Sequence, residues 1–289
     1  MRGRTDLAAE QAAQLQGKLP QGLEVKKGAF GLADVQRVWI KNDKAARLLG
    51  KPIGSYYTIE GRKFTQSVDD SRDQTMAAAA VLKKLLPAKG AVLVVGLGNR
   101  HITPDSLGPR VADRIIATRH MQESLRRKSG LRTTAVLATG VLPQTGLEVA
   151  EQTQWAVREM APSAVVAVDA LAAAAAERLG RTIQISDAGI TPGSGVKGDH
   201  LPLCRDTLGV PVVAVGVPMV MDADTFVDDY LRKVGVKEDT IAERKRSPLM
   251  VAAHDVDAAV SRSVHCLAMA INLALQPNLS REEISALTE

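Results

Sequence analysis

The chain has 289 residues, 37 Lys+Arg against 32 Asp+Glu, two cysteines, 45% hydrophobic residues and 3% aromatics. That apolar content with 24% charged residues excludes a disordered chain, which lacks the area to offset its ordering entropy, and two cysteines exclude a disulfide framework. The charge excess, 37 − 32 = +5, is small for this length and the sparse aromatics supply no stacking platform, so a dedicated nucleic-acid binder is excluded as the first reading.

The best apolar runs, 91–98, 161–176 and 209–221, are short or carry Asp169, and none reaches the roughly 18 to 20 residues that span a bilayer. The start, Met1-Arg2-Gly3-Arg4-Thr5-Asp6, lacks the hydrophobic segment of a secretory signal. The expectation is a cytoplasmic protein with no membrane contact and with Cys204 and Cys266 reduced.

Residues 1–66 set Trp39, Tyr56, Tyr57 and Phe64 among polar residues and glycines, which predicts a strand-rich segment packed on a sheet. An Ala-rich helix follows over 68–86. From Gly90 onward, β-branched runs predict strands over 91–95, 133–137, 164–168, 182–185 and 212–215. These runs are apolar on both faces, as strands covered by helices on both sides are. Helices are expected over 108–120, 146–160, 170–179, 222–234 and 256–275, with Pro109 in a first turn and Gly180 as a stop. The order predicts an α/β fold: a mostly parallel twisted sheet, helices on both faces, and one domain over 1–289, of which 7–66 is the N-terminal elaboration and 67–289 the core.

Familiar signatures fail. Gly96-Leu97-Gly98-Asn99-Arg100-His101 follows a strand but lacks the third glycine of a dinucleotide fingerprint, and no Gly-Lys-Ser/Thr phosphate loop occurs. Histidines at 101, 120, 200, 254 and 265 and two lone cysteines give no metal-ligand spacing, so neither metal nor cofactor is expected. Ser194 lacks the flanks of a nucleophile elbow.

Two aspartates remain. Asp105 lies in the loop leaving the first sheet strand, and Asp169 ends the run Val165-Val166-Ala167-Val168, both at the strand ends where open α/β sheets bind ligands. Two carboxylates in one crevice split their pKa values, share a proton, and act as general acid and base on water. The competing account is that Asp105 caps a helix and Asp169 satisfies loop amides. Around them, Asn99 and Thr103 are candidates to orient Asp105, and Ser186 and Asp187 to line the crevice, with loop hydrogen bonding as the alternative for each. The turn containing Gly193, Ser194 and Gly195 is a candidate to present N–H groups to an oxyanion, or is only a tight turn. His200 is the histidine nearest that turn in sequence, and is either an exposed loop residue or the completion of a metal site with both aspartates.

The segments Arg4-Thr5-Asp6-Leu7-Ala8, Val95-Gly96-Leu97-Gly98-Asn99, Thr103-Pro104-Asp105-Ser106-Leu107-Gly108-Pro109, Val168-Asp169-Ala170-Leu171-Ala172 and Thr191-Pro192-Gly193-Ser194-Gly195-Val196 resemble, in order, the spore germination protease family. Ile183-Gln184-Ile185-Ser186-Asp187, Gly216-Val217-Pro218 and Ser247-Pro248-Leu249-Met250-Val251 extend the resemblance over nearly the whole chain. It implies an endopeptidase acting on small acid-soluble DNA-coating proteins in the spore core during germination, with Asp105 and Asp169 as its essential aspartates. It also implies a homotetramer and a precursor cut between Asp6 and Leu7, so that residues 1–6 form a short propeptide in which Arg2 and Arg4 are suited to hold the aspartates ionised. Relatives of the family include nickel-binding hydrogenase-maturation endopeptidases, and the alternative function is of that type, with Asp105, Asp169 and His200 as ligands.

Overall fold

The computed structural model describes residues 4–15, 19–61, 71–193, 200–237, 241 and 249–288. Helix α1 (Ala8–Ala13) precedes a hairpin of β1 (Leu23–Phe30) and β2 (Ala33–Ile40), then α2 (Asp43–Leu49) and β3 (Gly54–Glu60). Helix α3 (Arg72–Leu85) leads to β4 (Val92–Leu97), α4 (Leu107–Ala112), α5 (Glu123–Lys128), β5 (Thr134–Gly140), α6 (Leu142–Thr145), α7 (Val149–Met160) and β6 (Ala164–Ala173). The chain then runs through β7 (Thr182–Ser186), α8 (Arg205–Leu208), β8 (Val212–Asp222), α9 (Ala223–Lys233), β9 (Met250–Ala252), α10 (Val256–Leu275) and α11 (Arg281–Thr288).

Among the described residues, nine strands form one sheet in the order β1-β2-β3-β7-β8-β6-β4-β5, with β9 on β8. The α/β architecture with a strand-rich N-terminal segment is as expected, but the sheet is not mostly parallel. Pairings β4·β5, β4·β6 and β6·β8 are parallel, whereas β1·β2, β2·β3, β3·β7, β7·β8 and β8·β9 are antiparallel. The N-terminal hairpin reaches the parallel centre through β7, which turns the strand direction.

Alternation along the central strands divides the core into two layers, as the two-residue period requires. Val166, Val168, Val215, Val217, Ile183 and Ile185 pack toward α3, α4 and α10. Val165, Ala167 and Val212 pack toward α7 and α8. Helices therefore cover both faces. Helix α10 corrects one exclusion drawn from sequence: it is long and apolar enough to cross a membrane, but 72% of that window is buried within the protein, as in a core helix.

Three helix expectations also change. Residues 170–179 hold no α-helix; β6 continues to Ala173 and a single 3-10 turn follows at Ala176–Arg178. The high helix propensity of alanine loses here to pairing of Asp169–Ala173 with Gly216–Met221 of β8. The helix expected over 108–120 stops at Ala112, because buried Asn272 takes over the next backbone groups, accepting from Ile116 N–H at 3.0 Å and donating to Arg114 C=O at 2.8 Å. The 146–160 helix begins at Val149, after Gly146 caps α6 with φ +69°. Helix α3 starts at Arg72, and the expected start at Val68 and the aromatic Phe64 lie outside the described residues.

Candidate active site

Strand β6 outruns its neighbour β4, whose last partner on it is Val168, opposite Gly96. Asp169, expected at a strand end, instead begins the overhang inside a ten-residue strand. Its side chain points to the face opposite α3 and α10, and it is 7% exposed. Its Oδ1 accepts the N–H of Ala170 at 2.8 Å. Asp105 reaches the same place from the loop after β4, at the end of a 3-10 turn over Thr103–Asp105. Its Oδ2 accepts the N–H of Asn99 at 2.7 Å. Gly98 makes that contact sterically feasible: it has φ +111°, and a Cβ there would fall 2.1 Å from the Asp105 carbonyl oxygen.

Burial pushes the Asp169 carboxyl well above the usual carboxylate range, and the charge of Asp105 pushes it further. The Ala170 amide opposes this, and Asp6 adds to it. Burial also raises Asp105, with the Asn99 amide pulling back. The two carboxylates are thus electrostatically coupled and unequal, with the proton favoured on Asp169. The net shift of Asp169 is upward, against the expectation that Arg4 holds it ionised; Arg2, the other arginine of that expectation, lies outside the described residues.

The N-terminal segment is built into this site. Asp6 N–H donates to Ala172 C=O at 2.9 Å, and Asp6 Oδ2 accepts Ala172 N–H at 2.8 Å. Leu7 is fully buried against Leu171, Ala173, Leu179 and Ile190. Glu10 is buried too; it accepts the N–H groups of Ala174 and Ala175 at 2.8 and 3.0 Å and the Thr5 hydroxyl. Beside the segment lies a cleft of about 820 Å³ whose walls include Asp6, Lys51, Tyr56, Gln184, Asp187 and Gly216. Neither Asp105 nor Asp169 lines it; Leu171 and Gly216, which adjoin Asp169, are the link. Burial lowers the Lys51 pKa while the Asp6 carboxylate props it up, so the amine sits close enough to sense that charge.

The other expected residues divide. Asn99 supports Asp105 through its backbone, while its side-chain oxygen accepts from His101 N–H at 2.9 Å and Gln144 at 2.7 Å. The Thr103 carbonyl accepts the Ser106 N–H and hydroxyl, which closes the 3-10 turn. Ser186 and Asp187 line the cleft; Ser186 accepts from Ala188 N–H at 3.0 Å and Asp187 from Ser55 N–H at 2.7 Å. Gly193 lies beside His200, whose Nδ1 is 3.4 Å from a Glu148 carboxylate oxygen; Ser194 and Gly195 lie outside the described residues. Among the described residues, no three His, Cys, Asp or Glu side chains are placed to hold a metal ion.

The profile described as Germination protease matches residues 4–246. The chain belongs to the germination protease family. A germination protease of Caldanaerobacter subterraneus subsp. tengcongensis is 35% identical over 98% of this chain and 97% of its own length. One from Bacillus velezensis is 40% identical over 78% of this chain and 65% of its own length. A [NiFe] hydrogenase maturation protease, HycI from Thermococcus kodakarensis KOD1, is similar over 66% of this chain and 98% of its own, at 19% identity and TM-score 0.37. Two residues lining the cleft, Lys51 and Gln184, are not among the site candidates that the sequence of this germination protease family member offers. Lys51 sits in an ordinary Gly-Lys-Pro loop, and Gln184 in an apolar strand, so only the folded sheet reveals them.

Proposed function

We propose that the chain is an endopeptidase that opens the degradation of small acid-soluble DNA-coating spore proteins in the spore core during germination, without metal or cofactor. Family membership supports the peptidase class. The observation that carries the mechanism is Asp169: a carboxyl buried beside a second carboxyl, each with its pKa raised, is a stability cost that acid–base chemistry explains. Asp105, the less perturbed, is the ionised base that takes a proton from water. Asp169 holds the proton and delivers it to the carbonyl oxygen as the water oxygen bonds to carbon; Asp105 then passes the proton it took from water to the leaving nitrogen as the C–N bond breaks, and a hydroxyl of the gem-diol returns its proton to Asp169.

The seating of Asp6 and Leu7 beside this pair supports their bond as the processing point of a precursor. We take the active form to be a homotetramer of single-domain subunits that does not itself bind nucleic acid. The test is to incubate purified chain with a small acid-soluble spore protein, with and without a strong chelator, and to map fragments by mass spectrometry. Internal cuts in both samples are expected. Uncut substrate, or activity that chelation removes and one metal restores, would overturn the reading.

A further inference from the structure

Asp169 of β6 is in register with Gly216 of β8, and Gly216 with Gln184 of β7, so the three form one row across adjacent strands. Their neighbours Val168, Val215, Val217, Ile183 and Ile185 face the opposite layer, which puts Asp169 and Gln184 on the same face of the sheet. Between them Gly216 leaves room. A Cβ there would stand 2.7 Å from Leu171 Cγ, so glycine lets Leu171 lean across the row and form part of the Leu7 pocket.

Gln184 is 8% exposed, and both ends of its carboxamide are engaged by one peptide segment. Its Nε2 donates to the Asp6 carbonyl at 2.8 Å, and its Oε1 accepts the Ala8 N–H at 2.8 Å. Both partners are main-chain atoms, on either side of the residue whose side chain enters the apolar pocket. A carboxamide suits this task because it offers one donor and one acceptor, in the manner of a neighbouring strand. Leu7 itself is extended (φ −86°, ψ 115°) and Ala8 opens α1, and neither contact depends on the side chains of Asp6 or Ala8, so a peptide of other sequence that is extended at the pocket residue can make them.

We propose that Gln184 is a substrate-binding residue that clamps the main chain of a peptide on either side of the extended residue entering the Leu7 pocket, in the same cross-strand row as Asp169. The chain's own residues 6–8 fill the clamp and leave when a second peptide enters. The inference rests on the endopeptidase reading for its purpose, but its test does not require turnover.

The probe is a fluorescein-labelled nonapeptide with the sequence of residues 4–12, Arg-Thr-Asp-Leu-Ala-Ala-Glu-Gln-Ala. A depsipeptide analogue replaces by oxygen the N–H equivalent to that of Ala8. Binding of both to the full chain is measured by anisotropy at 4 °C, with the peptides confirmed intact afterwards. Wild type is expected to bind the ester about fivefold or more weakly than the amide, since Oε1 loses its donor. Gln184→Met should not distinguish the two peptides, and its affinity for the amide is no measure by itself, because the chain's own residues 6–8 lose the same two contacts. Gln184→Asn, whose amide falls short of both contacts, should behave alike and decides the case if the Met variant fails to fold in thermal unfolding. Continued discrimination in both variants, none in wild type, or no binding to wild type at millimolar peptide would overturn the proposal. Discrimination without any hydrolysis in a parallel assay would sink the endopeptidase reading and leave the clamp standing.

Discussion

Replacing Leu7 by Ala should undock the N-terminal segment while leaving the sheet folded. Leu7 is completely buried in a satellite cluster of Leu171 and Ala173, with Leu179 and Ile190 at its rim, apart from the main core. Truncating a buried leucine costs about 2–5 kcal/mol, and even the lower figure is roughly 30-fold in the docking equilibrium. The loss falls on the segment because its other anchors are polar: Asp6 on Ala172, Asp6 and Ala8 on Gln184, and Glu10 on Ala174 and Ala175. Amide hydrogen exchange followed by NMR reads this directly. Protection of the Asp6 and Ala8 amides should fall by roughly 30-fold or more, while amides of β4 and β8 keep theirs. Unchanged protection at Asp6 and Ala8 would refute the argument that apolar burial holds the segment. Chain beginning at Leu7, which lacks the Asp6 contacts with Ala172 and Gln184, should cleave substrate faster than the full chain.

Asp6→Asn removes a negative charge that raises the Asp169 pKa, so Asp169 should ionise at lower pH and the alkaline limb of the kcat/KM profile should move down; an unmoved limb would disconnect the two residues. Asp169→Asn should raise thermal stability at neutral pH. A carboxyl whose folded pKa lies above its unfolded value binds more protons when folded, so its penalty is absent below the unfolded pKa and grows as pH rises toward the folded one. The amide has no such penalty, and a gain of about 2–4 °C per kcal/mol relieved is expected by calorimetry, with wild type and variant converging at low pH.

Much of this architecture is legible before folding. Val92–Leu97, Thr182–Ser186 and the first part of β6 are β-branched runs bounded by Gly, Pro or charged residues, and α10 matches its apolar stretch end to end. The Ala172-Ala173-Ala174-Ala175-Ala176 run is where local reasoning fails, since alanine's preference for helix is worth less than a ladder to β8 that periodicity cannot foresee. The error bears on the site, because Ala172 of that ladder, and Ala174 and Ala175 just beyond it, supply the N–H groups that hold Asp6 and Glu10. Asp169 was visible as the polar residue ending an apolar run, and Asp105 as a carboxylate in the loop that leaves another. Gln184 was not, for its role arises from register across three strands far apart in sequence.

The central claim is that Asp105 and Asp169 together activate water. Asp105→Asn and Asp169→Asn should each lower cleavage of a small acid-soluble spore protein by about 10²–10⁴-fold, since an amide neither takes nor returns the proton. The double variant should be scarcely slower than either single one, because groups that act as a unit lose their rate together. Initial rates of the three variants, with folding verified by thermal unfolding, measure this. Near-wild-type turnover in either single variant, or losses that multiply in the double variant, would contradict the account.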